Sequence, residues 1–280
     1  METKRILVIG GTGYIGKEIV SILAKTSYDV TVLSRHSGNI DGIRYLKGSI
    51  LDREYLMHFL KDFDLVINLA SVVRTINKRK YKENTLGLRN VIDSMKKNNI
   101  KKIVYFSTQN VHILKTGYYG NSKKECEKII KDSELDYIIV RPNYVYGLDK
   151  ENDFYRLFKI MKIIKIAPII GNGRSKIQPV NKKDVAKLTS DILKDWRSRE
   201  EINISGKTTI SLLQIADLIK RKKKMHALII HIPLFLFKPL KWIIPFDLEG
   251  YNQDRISPDT IKTMIGCSDF EEDIQKITSL

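Results

Sequence analysis

The chain has 280 residues, of which 42% are hydrophobic and 29% are charged, a composition that excludes wholesale disorder and suits a folded globular protein. The 49 Lys and Arg against 32 Asp and Glu give a formal net charge of +17, but the basic runs are short and not interleaved with aromatic residues, so we do not expect nucleic acid as a partner. Two cysteines, Cys126 and Cys267, are too few for a disulfide framework.

Apolar segments argue against an integral membrane protein. The N-terminal residues run directly into a short apolar strand, which is not the pattern of a secretory signal. The longest strongly apolar stretch, 227–237, contains His231 and Pro233 and falls short of the roughly 20 residues that a spanning helix needs. We therefore expect a cytoplasmic protein, for which peripheral contact with a membrane stays open.

Short apolar runs alternate with helical patterns along the first half of the chain. The predicted strands are 5–9, 30–33, 65–69, 103–106, 137–140 and 202–204, and the predicted helices are 15–24, 86–95, 123–130, 183–193 and 212–219. Strands that are apolar on both faces and alternate with helices are typical of a parallel sheet covered on both sides. The sequence therefore predicts an α/β class, doubly wound fold of the Rossmann type.

A glycine loop separates the first strand from the first helix. Gly10, Gly13 and Gly16 are three residues apart, with Thr12, Tyr14 and Ile15 between them. Glycines at this spacing allow a sharp turn, a close approach of a pyrophosphate to the backbone, and close packing of the helix, whose N–H groups then face the phosphates. The loop therefore predicts a dinucleotide site.

The end of the second strand bears on which dinucleotide binds. Ser34 and Arg35 follow the strand, and no carboxylate occurs before Asp41. A free ribose 2′-hydroxyl is usually bound by an acidic residue here, whereas arginine suits a 2′-phosphate. We therefore favour NADP(H), and NAD(H) stays open.

We predict two lobes. Residues 1–165 form the NAD(P)-binding Rossmann domain, to which 177–204 return, and 166–176 with 205–280 form a smaller substrate-binding lobe. The aromatic segment 225–246 contains three prolines. It is either a wall and lid of the substrate lobe or a surface for a membrane or a partner subunit.

Several later motifs, together with the glycine spacing, resemble the extended branch of the short-chain dehydrogenase/reductase superfamily, the NAD(P)-dependent epimerase/dehydratase family of nucleotide-sugar enzymes. The motifs are Gly-Ser-Ile-Leu-Asp at 48–52, Asn-Leu-Ala-Ser at 68–71, Tyr-Phe-Ser-Thr at 105–108, Tyr-x-x-x-Lys at 119–123 and Arg-Pro-x-x-Val-Tyr-Gly at 141–147. The resemblance implies further cofactor-binding residues: Ser49, Ile50, Leu69, Ala70, Ser71, Asn84, Tyr119, Lys123, Pro142 and Val145. Ser49 stands where the family has an aspartate.

The resemblance also implies the catalytic residues Thr108, Tyr119 and Lys123. Tyr119 and Lys123 are four residues apart, so both reach one face of a helix. A neighbouring ammonium and the positive nicotinamide of an oxidised cofactor favour phenolate. We therefore expect Tyr119 to act near neutral pH as a general base for an alcohol or a general acid for a carbonyl, with Thr108 hydrogen-bonded to the same substrate oxygen. Two other pairs share the spacing, but only Tyr119 follows a strand ending in Ser-Thr.

The implied substrate is a nucleotide-activated sugar. The substrate candidates are Gln109, Asn110, Asn143, Arg174 and Lys176. The last two are substitutes for an arginine that the family often has where this chain has Ile177. Only ten residues separate Thr108 from Tyr119, which predicts a short substrate loop, and the histidines show no metal-ligand spacing.

Three functions stay open. An NADPH-dependent keto-sugar reductase is favoured, and an epimerase that retains NAD uses the same residues. A dehydratase is disfavoured because Gln109 and Asn110 replace the family's acidic pair. The alternative of another class is a non-catalytic dinucleotide-binding redox sensor or assembly subunit. A homodimer is compatible with the resemblance.

Overall fold

The computed structural model describes residues 4–237 and 252–280. The strands are β1 (Arg5–Ile9), β2 (Asp29–Ser34), β3 (Arg44–Lys47), β4 (Leu65–Asn68), β5 (Lys102–Phe106), β6 (Asp136–Pro142), β7 (Val145–Tyr146), β8 (Ile166–Ile170), β9 (Lys176–Ile177), β10 (Val180–Asn181), β11 (Glu200–Ser205), β12 (Ile210–Ser211), β13 (Leu228–Ile232) and β14 (Thr263–Ile265). The helices are α1 (Gly16–Leu23), α2 (Arg53–Phe59), α3 (Lys82–Lys97), α4 (Gly117–Lys131), α5 (Asp153–Ile164), α6 (Lys182–Lys194), α7 (Leu212–Lys222) and α8 (Phe270–Ile277).

Eight of these strands form one parallel sheet in the order β14-β11-β6-β5-β4-β1-β2-β3. The chain winds outwards in both directions from β1 and β4. The topology therefore reverses between these two strands, and a crevice for ligands lies beyond their carboxyl ends. The predicted doubly wound α/β fold is confirmed.

Alternate residues of the same strands enter two different cores. In β1, Ile6 and Val8 pack with α1 and α6 on one face, whereas Leu7 and Ile9 pack with α2, α3 and α4 on the other. Every second side chain of a strand points to the same face, and in this sheet both faces are buried. This explains why the strands are continuous apolar runs.

A third core holds the C-terminal part of the chain. It contains apolar side chains of α5, α7, α8 and the two-stranded parallel ribbon of β8 and β13. The predicted lobe boundary at residue 165 falls between α5 and β8, which both contribute to this core. The sequence pattern did not predict α5 or α8.

Two helices begin earlier than their predicted starts at 86 and 123. Helix α3 begins at Lys82 and α4 begins at Gly117, so that Asn84 and Tyr119 lie in first turns. Gly117 and Gly120, which form helices poorly, flank two tyrosines in the first turn of α4. The apolar periodicity therefore starts only after the helix has begun.

The sequence predicts that the segment 225–246 is a lid or a contact surface. Its described part contains β13 and a 3₁₀ turn, Leu234–Phe237. Residues 238–251 lie outside the described residues. Among the helices of residues 4–237 and 252–280, none is long and apolar enough to cross a bilayer.

A buried ion pair fixes α4 to the sheet. Arg141 of β6 donates from Nε to Glu127 Oε1 at 2.8 Å and from Nη2 to Glu127 Oε2 at 2.7 Å, and the side chains are 3% and 8% exposed. Arg141 also pairs with Glu201 of β11. A bidentate pair of this kind sets the angle of the helix as well as its distance from the strand.

We expect Glu127→Ala to destabilise the fold by about 3 kcal/mol, because it leaves the buried guanidinium with Glu201 as its remaining carboxylate. Urea unfolding measures the change in the free energy of unfolding. Glu125→Ala, which removes an exposed carboxylate from the same helix, is the matched control and should change stability by less than about 0.5 kcal/mol. Equal effects of the two substitutions would contradict a specific role for the pair.

Candidate active site

A cavity of about 1030 Å³ opens at the carboxyl ends of the central strands. It lies at the edge where the topology places the crevice, between the glycine loop, α4 and the C-terminal lobe. The predicted site residues that line it are Gly10, Gly13, Tyr14, Ile15, Gly16, Leu69, Ser71, Thr108, Gln109, Asn110, Tyr119, Lys123, Pro142, Asn143 and Val145.

The glycine loop forms one end of this cavity, and two of its glycines are sterically required. Gly10 has a φ of 83°, and a Cβ there would lie 2.9 Å from the backbone nitrogen of Ala70. A Cβ at Gly16 would lie 2.3 Å from the carbonyl oxygen of Gly10. Helix α1 begins at Gly16, which lines the cavity together with Gly10 and Gly13. Residues in this arrangement fit the phosphates of a dinucleotide.

A second cavity of about 280 Å³ lies beyond the ends of β2 and β3. It is lined by Arg35, His36, Ser37, Tyr45, Leu46 and Lys47, so no carboxylate is part of its wall. The Ser34 and Thr12 hydroxyls lie 2.5 Å apart, in hydrogen-bond contact, next to this cavity. At the end of β2, where an acidic residue would bind a ribose hydroxyl, this chain thus has the Ser34 hydroxyl and the Arg35 guanidinium.

Other predicted cofactor residues support the cavity from outside its wall. Asn84 accepts from the Val72 backbone nitrogen at 2.7 Å and donates to Ser122 Oγ at 3.0 Å, so it ties the loop after β4 to α4. Ala70 lies directly beneath Gly10. Ser49 accepts from the Leu51 backbone nitrogen at 3.2 Å, and the Ile50 carbonyl accepts from Asn90 at 3.0 Å.

The three predicted catalytic side chains meet in the cavity. Thr108 follows β5 and caps the 3₁₀ turn Gln109–His112. Tyr119 lies in the first turn of α4, and Lys123 lies one turn further along the same face. The end of β5 and the start of α4 therefore bring together residues that are separated in sequence.

Lys123 is buried and its ammonium contacts the end of β5. Its Nζ donates to the Phe106 carbonyl oxygen at 2.7 Å and to the Tyr105 hydroxyl at 3.1 Å. Burial lowers the pKa of Lys123 to about 8. The amine therefore titrates near neutral pH, unlike a solvated lysine.

In the folded chain, burial has the largest effect on the pKa of Tyr119. Burial raises the pKa of Tyr119 well above its usual value, and the nearby Tyr81 adds to the effect. The Lys123 ammonium donates to Phe106 and Tyr105, and desolvation is the larger influence on the pKa of the Tyr119 phenol. Tyr119 therefore holds its proton more tightly than a solvated tyrosine.

Arginines that sequence reasoning missed line the cavity. They are Arg74, Arg156 and Arg255. Arg74 donates to Asp153 Oδ2 at 2.7 Å, and Arg156 donates to Asp153 Oδ1 at 3.3 Å. These arginines belong to no motif and converge only in the folded chain, so no sequence signal could have found them.

Arg174 and Lys176 do not line the cavity, which corrects the prediction that they bind substrate. Both are exposed, whereas Ile177, the next residue of β9, is buried and lines the cavity. Alternate residues of a strand point to opposite faces, so Lys176 points away from the wall to which Ile177 contributes. Arg255 forms a bridge with Ile177 and supplies a guanidinium at this wall.

Two predicted substrate residues bind other parts of the protein. Gln109 donates to Ser257 Oγ at 2.6 Å and to Ser205 Oγ at 3.2 Å. Asn143 donates to the Arg255 carbonyl oxygen at 2.7 Å. Both side chains therefore anchor the C-terminal segment that forms one wall of the cavity.

Known proteins resemble this chain along most of its length. Residues 6–205 match the family model "NAD dependent epimerase/dehydratase family". A Methanocaldococcus jannaschii protein named "putative UDP-glucose 4-epimerase" is 29% identical over 252 residues, 78% of this chain and 82% of that protein. Human sterol-4-alpha-carboxylate 3-dehydrogenase, decarboxylating, is 26% identical over 200 residues, 63% of this chain and 54% of that protein.

A solved structure has the same fold. The UDP-glucuronic acid 4-epimerase from Bacillus cereus, in complex with UDP-glucuronic acid and NAD, superimposes with a TM-score of 0.79 over 98% of both chains. The two sequences are 20% identical, so this likeness is one of fold.

The depressed pKa of Lys123 predicts a pH-dependent stability. The Lys123 amine holds its proton less tightly in the folded chain than in the unfolded chain. Below about pH 8 the amine is charged in both states, and its burial lowers the free energy of unfolding. This destabilisation decreases as pH rises from about 8 towards 10, because the folded chain loses the proton first. Relative to Lys123→Met, the free energy of unfolding of the wild type should rise by about 2 kcal/mol between pH 7 and pH 10. Urea unfolding at each pH measures this difference. A constant difference would contradict the buried amine, and Lys128→Met, at an exposed position of α4, is the control.

Proposed function

This chain belongs to the NAD dependent epimerase/dehydratase family, and we propose that it transfers hydride at a ring carbon of a nucleotide-activated sugar, with Tyr119 as general acid/base. The observation that carries the proposal is that Thr108, Tyr119 and Lys123 line one cavity with the glycine loop. The M. jannaschii relative and the B. cereus structure, both named for UDP-sugars, support the substrate class.

The proposed chemistry divides between a dinucleotide and the protein. A bound nicotinamide dinucleotide supplies the hydride donor or acceptor. The backbone of the glycine loop holds the phosphates, and the Tyr119 hydroxyl exchanges a proton with the substrate oxygen. Thr108 donates a hydrogen bond to the same oxygen. Lys123, held by the end of β5, provides a positive charge in the cavity below about pH 8.

The cofactor that Arg35 suits favours reduction of a keto-sugar. Reduction of C=O consumes a hydride donor, and NADPH is the usual consumable donor. The Tyr119 hydroxyl protonates the forming alkoxide in this direction. We therefore favour a keto-sugar reductase.

The second cavity supports NADP(H) as the cofactor. Arg35, His36 and Lys47 line it, and a 2′-phosphate carries negative charge that these side chains can bind through charge-assisted hydrogen bonds. A ribose with a free 2′-hydroxyl would find no carboxylate acceptor in this wall.

The arginines of the large cavity support a substrate with a diphosphate. Arg74 lies in the loop after β4, Arg156 in α5 and Arg255 in the C-terminal segment, so guanidinium groups border the cavity from both sides. Arg74 and Arg156 share the Asp153 carboxylate, and a guanidinium has more N–H donors than this pairing uses. Guanidinium groups bind phosphate oxygens in a bidentate manner. A nucleotide diphosphate between a sugar and a nucleoside matches this distribution of charge.

An epimerase that retains NAD is the second candidate. The names of the M. jannaschii relative and the B. cereus structure favour it, since both are called 4-epimerases and the latter is in complex with NAD. The same Tyr119 would serve both directions of proton transfer. A redox sensor that binds the dinucleotide without turnover is disfavoured, because it needs no convergence of hydroxyl, phenol and amine in one cavity.

Tyr119→Phe tests the proposed acid/base. We expect it to lower turnover of keto-sugar nucleotides by at least about a hundredfold, since phenylalanine has no proton to give, while dinucleotide binding stays close to that of the wild type. Turnover is measured as the loss of NADPH absorbance, and dinucleotide binding is measured by nicotinamide fluorescence. Tyr118→Phe, in the same helical turn and exposed, is the control. Undiminished turnover in Tyr119→Phe would eliminate this residue as the acid.

Arg35→Ala tests the cofactor preference. We expect the wild type to bind NADPH at least about tenfold tighter than NADH and the variant to lose this difference. Fluorescence titration with each dinucleotide gives the dissociation constants, and Arg44→Ala, at the start of β3 and outside the cavity lining, is the control. Equal affinities in the wild type, or tightly held NAD⁺ in the purified protein, would favour the epimerase.

A further inference from the structure

The parallel ribbon of β8 and β13 carries apolar residues on both of its faces. Its inner face contributes Ala167, Ile169 and Ile229 to the third core. Its outer face is formed by Ile166, Pro168 and Ile170 of β8 and, in register with them, by Leu228, Ile230 and Ile232 of β13. A face that meets solvent normally carries polar residues at these alternate positions. Here Leu228 is 67% exposed and Ile230 is 38% exposed.

Neighbouring segments extend this apolar surface. Ile160, Ile163 and Ile164 share one side of α5 because they are three or four residues apart, and they are 40%, 67% and 54% exposed. The Leu228 backbone nitrogen donates to the Lys165 carbonyl oxygen at 2.8 Å, so β13 starts at the end of α5. The exposed Phe235 and Leu236 follow β13. We call these residues and the outer side of the ribbon the ribbon face.

The two described segments that form the ribbon face are basic and contain no carboxylate of their own, although Lys222 pairs with Glu271 of α8. Residues 154–183 contain eight Lys or Arg and no Asp or Glu, and residues 218–237 contain five Lys or Arg and no Asp or Glu. Lys162 and Lys223 come within 5.9 Å and 6.0 Å of the Phe158 ring, so α5 and the end of α7 contribute cations to the same neighbourhood. These two segments thus contain much of the excess positive charge of the chain.

We propose that the ribbon face docks the protein onto an anionic phospholipid surface. Exposed aliphatic and aromatic side chains insert into the membrane interface, and the lysines that border them bind anionic lipid headgroups. A second copy of the chain fits poorly, because the lysines of these segments in one copy would oppose the same lysines in the other. Pro168 and Ile170 belong both to this face and to the cavity wall, so the docked cavity lies beside the lipid.

Vesicle co-sedimentation of the full chain tests the docking directly. We expect binding to vesicles of phosphatidylglycerol mixed with phosphatidylcholine, weak binding to phosphatidylcholine alone, and a loss of binding as salt is raised. The measurement needs neither substrate nor turnover, so its failure is distinguishable from failure of the proposed function.

Two variants separate the apolar and electrostatic contributions. Ile163→Asp with Leu228→Asp, at exposed positions, should weaken vesicle binding about tenfold or more. Lys159→Glu with Lys162→Glu should do the same, whereas Lys96→Glu with Lys97→Glu, an equal charge change on α3, should have a smaller effect. Circular dichroism and urea unfolding verify that each variant is folded.

Specific outcomes would overturn the docking. Absence of wild-type binding to anionic vesicles would do so, as would equal losses in the α5 and α3 charge variants, which would indicate attraction by net charge alone. Sedimentation velocity without vesicles tests whether a second copy of the chain binds the ribbon face instead. If the wild type is a dimer, Ile163→Asp with Leu228→Asp makes it a monomer, and vesicles do not bind, the face is a contact between two copies.

Discussion

The pairing of Glu127 with Arg141 positions the helix on which the candidate active site depends. Tyr119, Lys123 and Glu127 follow each other at intervals of four residues along one stripe of α4. Glu127 binds β6, Lys123 binds the end of β5, and Tyr119 reaches the cavity. Because the pair is bidentate and buried, it fixes the direction of the helix. The distance of Tyr119 from the glycine loop is set in this way.

Burial of α4 against the sheet also sets the chemistry of the site. Desolvation raises the pKa of Tyr119 and lowers the pKa of Lys123, so both groups are displaced towards their neutral forms. The same packing that stabilises the fold therefore also shifts the proton affinities of the two candidate catalytic groups.

The C-terminal lobe contributes charge as well as shape. Its arginines border the cavity on the inside, and lysines of the same chain segments border the ribbon face on the outside. The net charge of +17 is thus unevenly placed along the sequence: residues 154–183 and 218–237 contain no Asp or Glu, and Arg156, Lys182 and Lys222 pair with carboxylates outside these segments. An anionic substrate and an anionic surface are both compatible with a lobe of this kind.

The sequence by itself determined the α/β class, the central strands and the glycine loop, because apolar period and glycine spacing are local properties. It also placed Thr108, Tyr119 and Lys123 at one cavity, since a strand end and the following helix start are adjacent in this fold. Only the tertiary structure decided what Lys123 binds, that Arg255 rather than Arg174 or Lys176 lines the cavity next to Ile177, and that Gln109 anchors the C-terminal segment. These depend on contacts between residues far apart in sequence and on the dielectric environment created by packing, neither of which a local pattern contains.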